Sequence, residues 1–477
     1  MRILLTGASG YVGGCLLDAL QARGHSVRCL VRRPERLAGR TAPTTDIVAG
    51  DATDRADLDR ACAGIDLAYW LVHSMESGVD FERADRLAAE HFAAAARAAG
   101  VRRLVYLGGL GADGDRLSAH LRSRHEVGAI LAASGLDVVE LRASIIIGAG
   151  SFSFDLVRTL VERLPVMICP AWLATPTQPI AIADVVAALV AAIDLPPGPP
   201  RIIEIGGPDR VSYGAIMREY ARQRGLTRLM IPVPVLTPRL SSLWLKLVTP
   251  RYAKVGRKLI DGLKNPTVVT DPGPMRDLPL SPRGLADAVR EAIQDEDRSF
   301  AGRRWAETAD VDELPARYGG HPEGTRLVDH RHTTVAVPPA RAFAAIERIG
   351  GVHGWYAHDW LWQLRGWIDR LLGGPGMGRG RRDPDHLASG DTLDCWHVEV
   401  CDPPRRLRLA AEMRLPGRGW LEFEVVPRDD AVTIHQTAVF DPKGLFGLAY
   451  WYAIWPLHEL VFRQMLAGIV RAATRRR

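Results

Sequence analysis

The sequence predicts an α/β protein in which a doubly wound parallel sheet is followed by a smaller α+β unit. Three observations carry this expectation. Short Val-, Ile- and Leu-rich runs alternate with alanine-rich amphipathic segments over residues 1–210, the pattern of strands buried on both faces by helices. Glycines at 7, 10 and 13 directly follow the first run and open a helical pattern. Beyond residue 330, period-two segments and one long closing helix replace the alternation.

Seven runs read as strands: Ile3–Thr6, Val27–Val31, Asp46–Ala49, Leu67–Leu71, Leu104–Leu107, Val138–Leu141 and Ile202–Ile205. Gly13–Arg23, Phe81–Ala99 and His120–Ser134 carry helical periodicity between them. Residues 211–300 read as an extension on the substrate side, with prolines at 232, 234, 238 and 250. Pro-, Gly- and charge-rich composition from 271 onward leads into a linker at 301–325. In the second domain, 326–477, a strand is expected at His332–Val337 and a short helix at Pro339–Ile346. Strands follow at 392–400, 406–413, 420–426 and 432–439, then a helix over about 445–473.

At 477 residues the chain exceeds one ordinary core, so two or three packed units are expected. With 47% hydrophobic and 24% charged residues it reads as folded and soluble rather than disordered. The net charge of +6 comes from arginine, and no aromatic-rich signature accompanies it, so nucleic acid is not an expected partner. Six cysteines, at 15, 29, 62, 169, 395 and 401, form no CxxC pair, which suits free thiols in a reducing compartment. The opening residues already read as a strand rather than a secretory leader, and the apolar stretch Gly444–Leu457 is too short to span a bilayer. A cytoplasmic location is expected. Residues 240–264 mix apolar positions with Lys246, Lys254, Lys258 and Lys264, and read either as a helix with a solvated basic face or as a peripheral membrane contact. Oligomeric state is not legible.

The glycine turn explains the first expected ligand. Gly7 makes the tight turn, Gly10 and Gly13 allow close approach, and the amides of Ser9, Tyr11 and Val12 border the place where a pyrophosphate meets the helix N-terminus. The second strand ends in Arg32 and Arg33 with no acid to hold a ribose 2′-hydroxyl. Arginine there pairs with a 2′-phosphate, so NADP(H) is expected over NAD(H); the other reading is that both are solvated surface charges. Leu71 and His73 lie at the end of the fourth strand, on the edge where open α/β sheets bind ligands.

This stretch resembles the Rossmann-type domain of atypical and extended short-chain dehydrogenases, including NmrA-like NAD(P)H-binding proteins. The resemblance covers about residues 1–300 and extends to Leu141-Arg142-Ala143-Ser144 and Pro179–Val185. It implies that Asp51, followed by Ala52, holds the adenine amino group. It also implies a Tyr-x-x-x-Lys pair, and here the chain departs: the first 245 residues contain no lysine. His120 falls on the tyrosine and Arg124 on the lysine, one helical turn apart. Histidine can exchange a proton near neutral pH, whereas arginine cannot. Gly108 and Gly109 stand where the family usually places a serine or threonine. His120 and Arg124 are therefore either catalytic or only docking groups for the cofactor.

The tail carries Trp355, Tyr356, Trp360, Trp362, Trp367, Trp396, Trp451 and Tyr452 among glycine-rich turns. Over about 330–472 it resembles the uncharacterised DUF2867-type domain, thought to be helix-grip-like and similar to START-type (SRPBCC-like) domains that bind lipids. The resemblance implies an apolar ligand cavity; the residues alone are equally those of an ordinary aromatic core. Cys395, His397 and Cys401 alternate on one expected strand, a spacing that period two explains without a metal. Two functions remain open. One is an NADP(H)-dependent oxidoreductase moving hydride to or from a hydrophobic small molecule. The other is a non-catalytic NADP(H) sensor or scaffold.

Overall fold

All seven strands expected in the first half belong to one parallel sheet. They are β1 (Arg2–Thr6), β2 (Ser26–Val31), β3 (Asp46–Ala49), β4 (Leu67–Trp70), β5 (Arg103–Gly109), β6 (Asp137–Ala143) and β7 (Arg201–Ile205). Their order is β7-β6-β5-β4-β1-β2-β3. The computed structural model describes residues 1–37, 41–72, 81–111, 117–233, 264–296, 318–323, 326–377, 380–428 and 431–475. The chain divides into two compact units, Met1–Val161 with Val166–Glu307 and Glu162–Pro165 with Thr308–Arg477. His73 and most of the basic segment 240–264 lie outside the described residues.

Strand alternation decides which helices cover which face. Ile3 and Leu5 are buried with Leu16 and Leu17 of α1 (Tyr11–Ala22). Leu4 points the other way, into a cluster with Leu58 of α2 (Arg55–Cys62), Phe92 of α3 (Phe81–Ala98) and Leu131 of α4 (Ala119–Ala132). Further helices are α5 (Phe152–Arg163), α6 (Ile182–Ala191) and α7 (Tyr213–Gln223). The apolar positions of α6, Val185, Ala188 and Leu189, join the α1 side. Strand order reverses between β1 and β4, so the turn after β1 opens at the crevice where such sheets bind ligands.

Within the linker-like stretch, residues 285–296 form a helix. Ala288, Val289 and Ala292 are buried there at helical spacing, which outweighs the surrounding charge.

The second unit is an antiparallel sheet with a long terminal helix. Its strands are β8 (Arg326–Val335), β9 (Trp396–Asp402), β10 (Arg406–Ala411), β11 (Gly417–Arg428) and β12 (Ala431–Pro442). They run β8-β12-β11-β10-β9, with short strands His321–Glu323 and Thr392–Leu393 at the two edges. The expected first strand begins six residues earlier than its periodicity suggested, because Arg326 to Asp329 are buried and the strand pairs with β12 from Leu327 onward. Helices are α8 (Pro339–Glu347), α9 (Asp359–Leu371) and α10 (Gly444–Thr474). Val461, Phe462, Met465 and Ile469 of α10 share one core with Leu421, Phe423 and Ile434 of the sheet.

Pro456 sits inside α10. Proline has no N–H, so the carbonyl four residues earlier loses its helical donor. That carbonyl belongs to Tyr452, and the hydroxyl of Tyr318 donates to it at 2.8 Å. A side chain from outside the helix thus replaces the missing bond.

Candidate functional site

The glycine turn is built as tightly as its spacing implied. Gly7 has φ +76°, and a Cβ there would stand 2.7 Å from the Leu71 carbonyl oxygen. The Gly10 amide donates to the Gly7 carbonyl at 2.9 Å. A Cβ on Gly13 would fall 2.1 Å from that same oxygen. Gly10 caps α1, no side chain caps its first turn, and no acidic residue sits in that turn. The helix therefore presents a partly positive N-terminus beside exposed Ser9 and half-buried Tyr11 and Val12. A cradle that tolerates no Cβ, facing an uncapped helix end, fits a dinucleotide pyrophosphate.

Arg32 and Arg33 follow β2, are exposed, and form no ion pair with any described residue. Asp51 and Ala52 follow β3 and are half-buried. One Asp51 oxygen accepts from the Thr53 amide and hydroxyl at 2.9 and 2.8 Å. These four residues lie at the ends of the strands on one side of β1. Gly108, His120 and Arg124 lie on the other side and line one pocket of about 230 Å³ together with Tyr11 and Val12.

Local structure explains how α4 presents its pair. Ser118 caps the helix, its hydroxyl accepting from the Leu121 amide at 3.3 Å, while its own amide donates to Asn265. Arg124 Nη1 donates to the Leu107 carbonyl at 2.9 Å, and Arg124 Nε is buried without an acceptor. The Tyr106 hydroxyl donates to the Arg124 carbonyl at 3.0 Å. His120 remains half-buried in the pocket wall. The next histidine, His125, meets the Gly109 carbonyl at 3.0 Å.

At Gly108 a serine side chain would meet a neighbouring carboxylate. A Cβ on Gly108 would stand 2.7 Å from Glu140 Oε1, and one on Gly128 would stand 2.3 Å from Glu140 Oε2. Glu140 accepts from Arg142 Nε at 2.7 Å, and both side chains are buried. An ion pair fills the space that a β5 side chain would need.

Sequence reasoning missed a hydroxyl cluster on the neighbouring strand. Ser144, just past β6, lines the same pocket as Tyr213 and Thr267. Its oxygen lies 2.6 Å from both Thr177 Oγ1 and Thr267 Oγ1, which are 2.9 Å from each other. Tyr213 hydrogen-bonds to both threonines, and burial pushes its phenol above the usual range. Ser144 is half-buried, whereas Thr177, Thr267 and Tyr213 are buried. Ser144 is spaced 33 residues from Thr177 and 123 from Thr267, so no local motif signals the group.

In the second unit, Trp355 stacks on Trp362 at 4.6 Å and is core. Trp362, Trp396, Trp420 and Trp451 border a cavity of about 190 Å³. Trp360 and Trp367 are more than half exposed and belong to neither core nor cavity. A bulge between Val398 and Val400 breaks the alternation expected of Cys395, His397 and Cys401. Burial raises the Cys395 thiol to about 12 and the Cys401 thiol to about 11.

Comparison with known proteins agrees with these two halves. Residues 7–150 match the NAD(P)H-binding family, and residues 321–465 match DUF2867, a protein family of unknown function. A 4-hydroxy-2-methyl-3-oxo-4-farnesyl-3,4-dihydroquinoline-1-oxide ketoreductase of Stigmatella aurantiaca is 38% identical over 110 residues, 22% of this chain and 33% of that protein. A (4-alkanoyl-5-oxo-2,5-dihydrofuran-3-yl)methyl phosphate reductase of Streptomyces griseus is 47% identical over 105 residues, again 22% and 33%. The chain thus matches about a third of the length of these relatives. Sterol demethylase protein B of Methylococcus capsulatus is 28% identical over 50% of this chain and 79% of its own. Among solved structures, a Citrobacter triphenylmethane reductase superposes with TM-score 0.51 at 14% identity, covering 62% of this chain and all of that one. An NADPH-dependent quinone oxidoreductase of Escherichia coli, complexed with NADPH, gives 0.50 at 21%, covering 61% of this chain and all of its own. Both show the fold. The chain joins an N-terminal NAD(P)H-binding domain of Rossmann type to a C-terminal DUF2867 domain.

Proposed function

We propose that the protein is an NADP(H)-dependent oxidoreductase of the atypical short-chain class, acting on a carbonyl or activated alkene of a hydrophobic small molecule. One observation carries the reading: His120, Arg124 and Ser144 line a single pocket that also touches Tyr11 and Val12 of the glycine turn. Gly7, Ser9, Gly10 and Gly13 hold the pyrophosphate, Asp51 and Ala52 the adenine, and Arg32, with Arg33, the 2′-phosphate. Leu71 and Gly108 flank the nicotinamide end. The bound dinucleotide supplies or accepts hydride.

The chain's own groups do the rest. Arg124, anchored on the Leu107 carbonyl, keeps its remaining donors for the ribose beside the pocket. His120 exchanges a proton with the substrate near neutral pH. Ser144 is the accessible member of its cluster and donates a hydrogen bond to the substrate oxygen, a place the usual β5 serine cannot occupy here. The three buried hydroxyls behind it hold its rotamer.

The apolar walls of the C-terminal cavity support a helix-grip-like carrier for the hydrophobic ligand. Reductases of hydrophobic compounds among the partial relatives agree with this substrate class. No disulfide joins any of the six cysteines, and no described helix is long and apolar enough to cross a membrane; both agree with a cytoplasmic protein. The second reading, a non-catalytic NADP(H) sensor, draws on the Glu140–Arg142 pair that excludes the usual serine.

The test is NADPH oxidation by purified protein across quinones, enones and ketones, with a His120→Ala variant. Turnover that the variant loses, at unchanged NADPH affinity, supports the enzyme. Equal background in both proteins refutes it and leaves the sensor.

A further inference from the structure

Two ionisable side chains, Arg365 and His458, stand among the aromatic walls of the C-terminal cavity. His458 lies on α10 in the cavity wall, stacked on Phe462 at 4.0 Å and tilted against Trp451 at 4.8 Å. Its Nε2 meets Asp329 Oδ2 at 3.0 Å, with both side chains buried. Arg331 Nε donates to the same oxygen at 2.9 Å.

This arrangement sets the tautomer. Burial pushes Asp329 up, but its hydrogen bond and electrostatic interaction with His458, followed by the charge of and bond from Arg331, outweigh it, so the carboxylate sits below its usual range. Burial likewise lowers His458 despite the neighbouring acid, which favours the neutral imidazole. An ionised carboxylate only accepts, so Nε2 carries the proton. Nδ1 is then a bare acceptor, and no described residue donates to it. Across the same cavity, the indole N–H groups of Trp362 and Trp396 are buried without an acceptor. A hydroxyl both donates to an imidazole nitrogen and accepts from an indole N–H.

We infer that the cavity is a binding site for an apolar, flat ligand bearing a hydroxyl group, which donates its hydrogen bond to Nδ1 of His458. An acceptor left unmet once a ligand displaces water from the cavity is costly, so the site favours the hydroxyl compound over an isosteric hydrocarbon. The inference deepens the carrier reading of this unit and is independent of hydride transfer.

Calorimetry of the full chain, without dinucleotide, with 1-naphthol and 1-methylnaphthalene tests it. The naphthol is expected to bind about tenfold tighter or more. His458→Phe should erase that preference while keeping the hydrocarbon's affinity. A measurement on the unaltered chain stands beside the variant: in protein labelled with ¹⁵N-histidine, naphthol should shift an Nδ1 resonance and methylnaphthalene should not. Equal affinity in the unaltered protein, or a preference that survives in His458→Phe, overturns the hydroxyl assignment and leaves an apolar carrier. No binding of either compound overturns the carrier as well, and NADPH oxidation by the N-terminal domain bears on neither result.

Discussion

Replacing Gly13 with alanine probes the dinucleotide site at its tightest point. The added Cβ would stand 2.1 Å from the Gly7 oxygen, 2.8 Å from its carbon and 3.1 Å from the Ala8 Cα, all of them backbone atoms. No rotamer change relieves this, so the turn and the start of α1 must separate by about 1 Å. Charge-assisted hydrogen bonds to a phosphate contribute about 1.5–3 kcal/mol each. Losing two of them weakens NADPH binding by roughly 10²- to 10⁴-fold. Overpacking should also lower folding stability by about 1–3 kcal/mol.

Gly24→Ala, at the other end of α1, separates the two effects. Gly24 has φ +73° with nothing within 4 Å of a new Cβ, so alanine there is strained but clashes with nothing. It should lower stability by about 1–2 kcal/mol and leave NADPH affinity intact. Calorimetric titration and urea denaturation of both variants decide the matter. NADPH affinity of Gly13→Ala within about threefold of the unaltered protein, or an equal loss in Gly24→Ala, would refute the reasoning.

Further expectations follow from single contacts. Arg32→Ala should weaken NADPH by about ten- to a hundredfold in titration while leaving NADH unchanged. Ser144→Ala should lower kcat/KM for a carbonyl substrate by roughly 10²-fold at unchanged NADPH affinity; a change confined to cofactor affinity would remove Ser144 from substrate recognition. Tyr318→Phe orphans the Tyr452 carbonyl above Pro456 and should lower stability by about 1 kcal/mol in urea denaturation, less if water reaches the oxygen. His458 titrates lower when folded than its ordinary value of 6.5, so the unfolded chain takes up the proton first as pH falls. Stability should therefore decline below about pH 6.5, at most about 1.4 kcal/mol per pH unit for one proton, and His458→Phe should flatten that slope. An unchanged slope in the variant would assign it to other groups.

Much of the first domain was readable because its determinants are local. Each β-branched run needs only its own residues to be apolar on both faces, and the glycine turn is seven residues long. Helices with weak or unusual periodicity were not readable. α2 buries only Leu58, Ala61 and Cys62, and α6 is apolar on most of its surface. α9 was visible only as a tryptophan-rich tail, since Trp360, Trp362 and Trp367 point to different surroundings.

Sequence alone therefore determined the alternation of strands and helices, the cradle at Gly7, Gly10 and Gly13, and the absence of the usual lysine beside His120. Only the tertiary structure decided what stands in the serine's place. Glu140 closes the space next to Gly108, and Ser144 gathers Thr177, Thr267 and Tyr213 from segments far apart in the chain. It likewise left Nδ1 of His458 open by placing Asp329 against Nε2 across 129 residues. The reason is one of range: periodicity and turn geometry act over a few residues, whereas satisfying a buried polar group depends on which distant segments the packed core brings beside it.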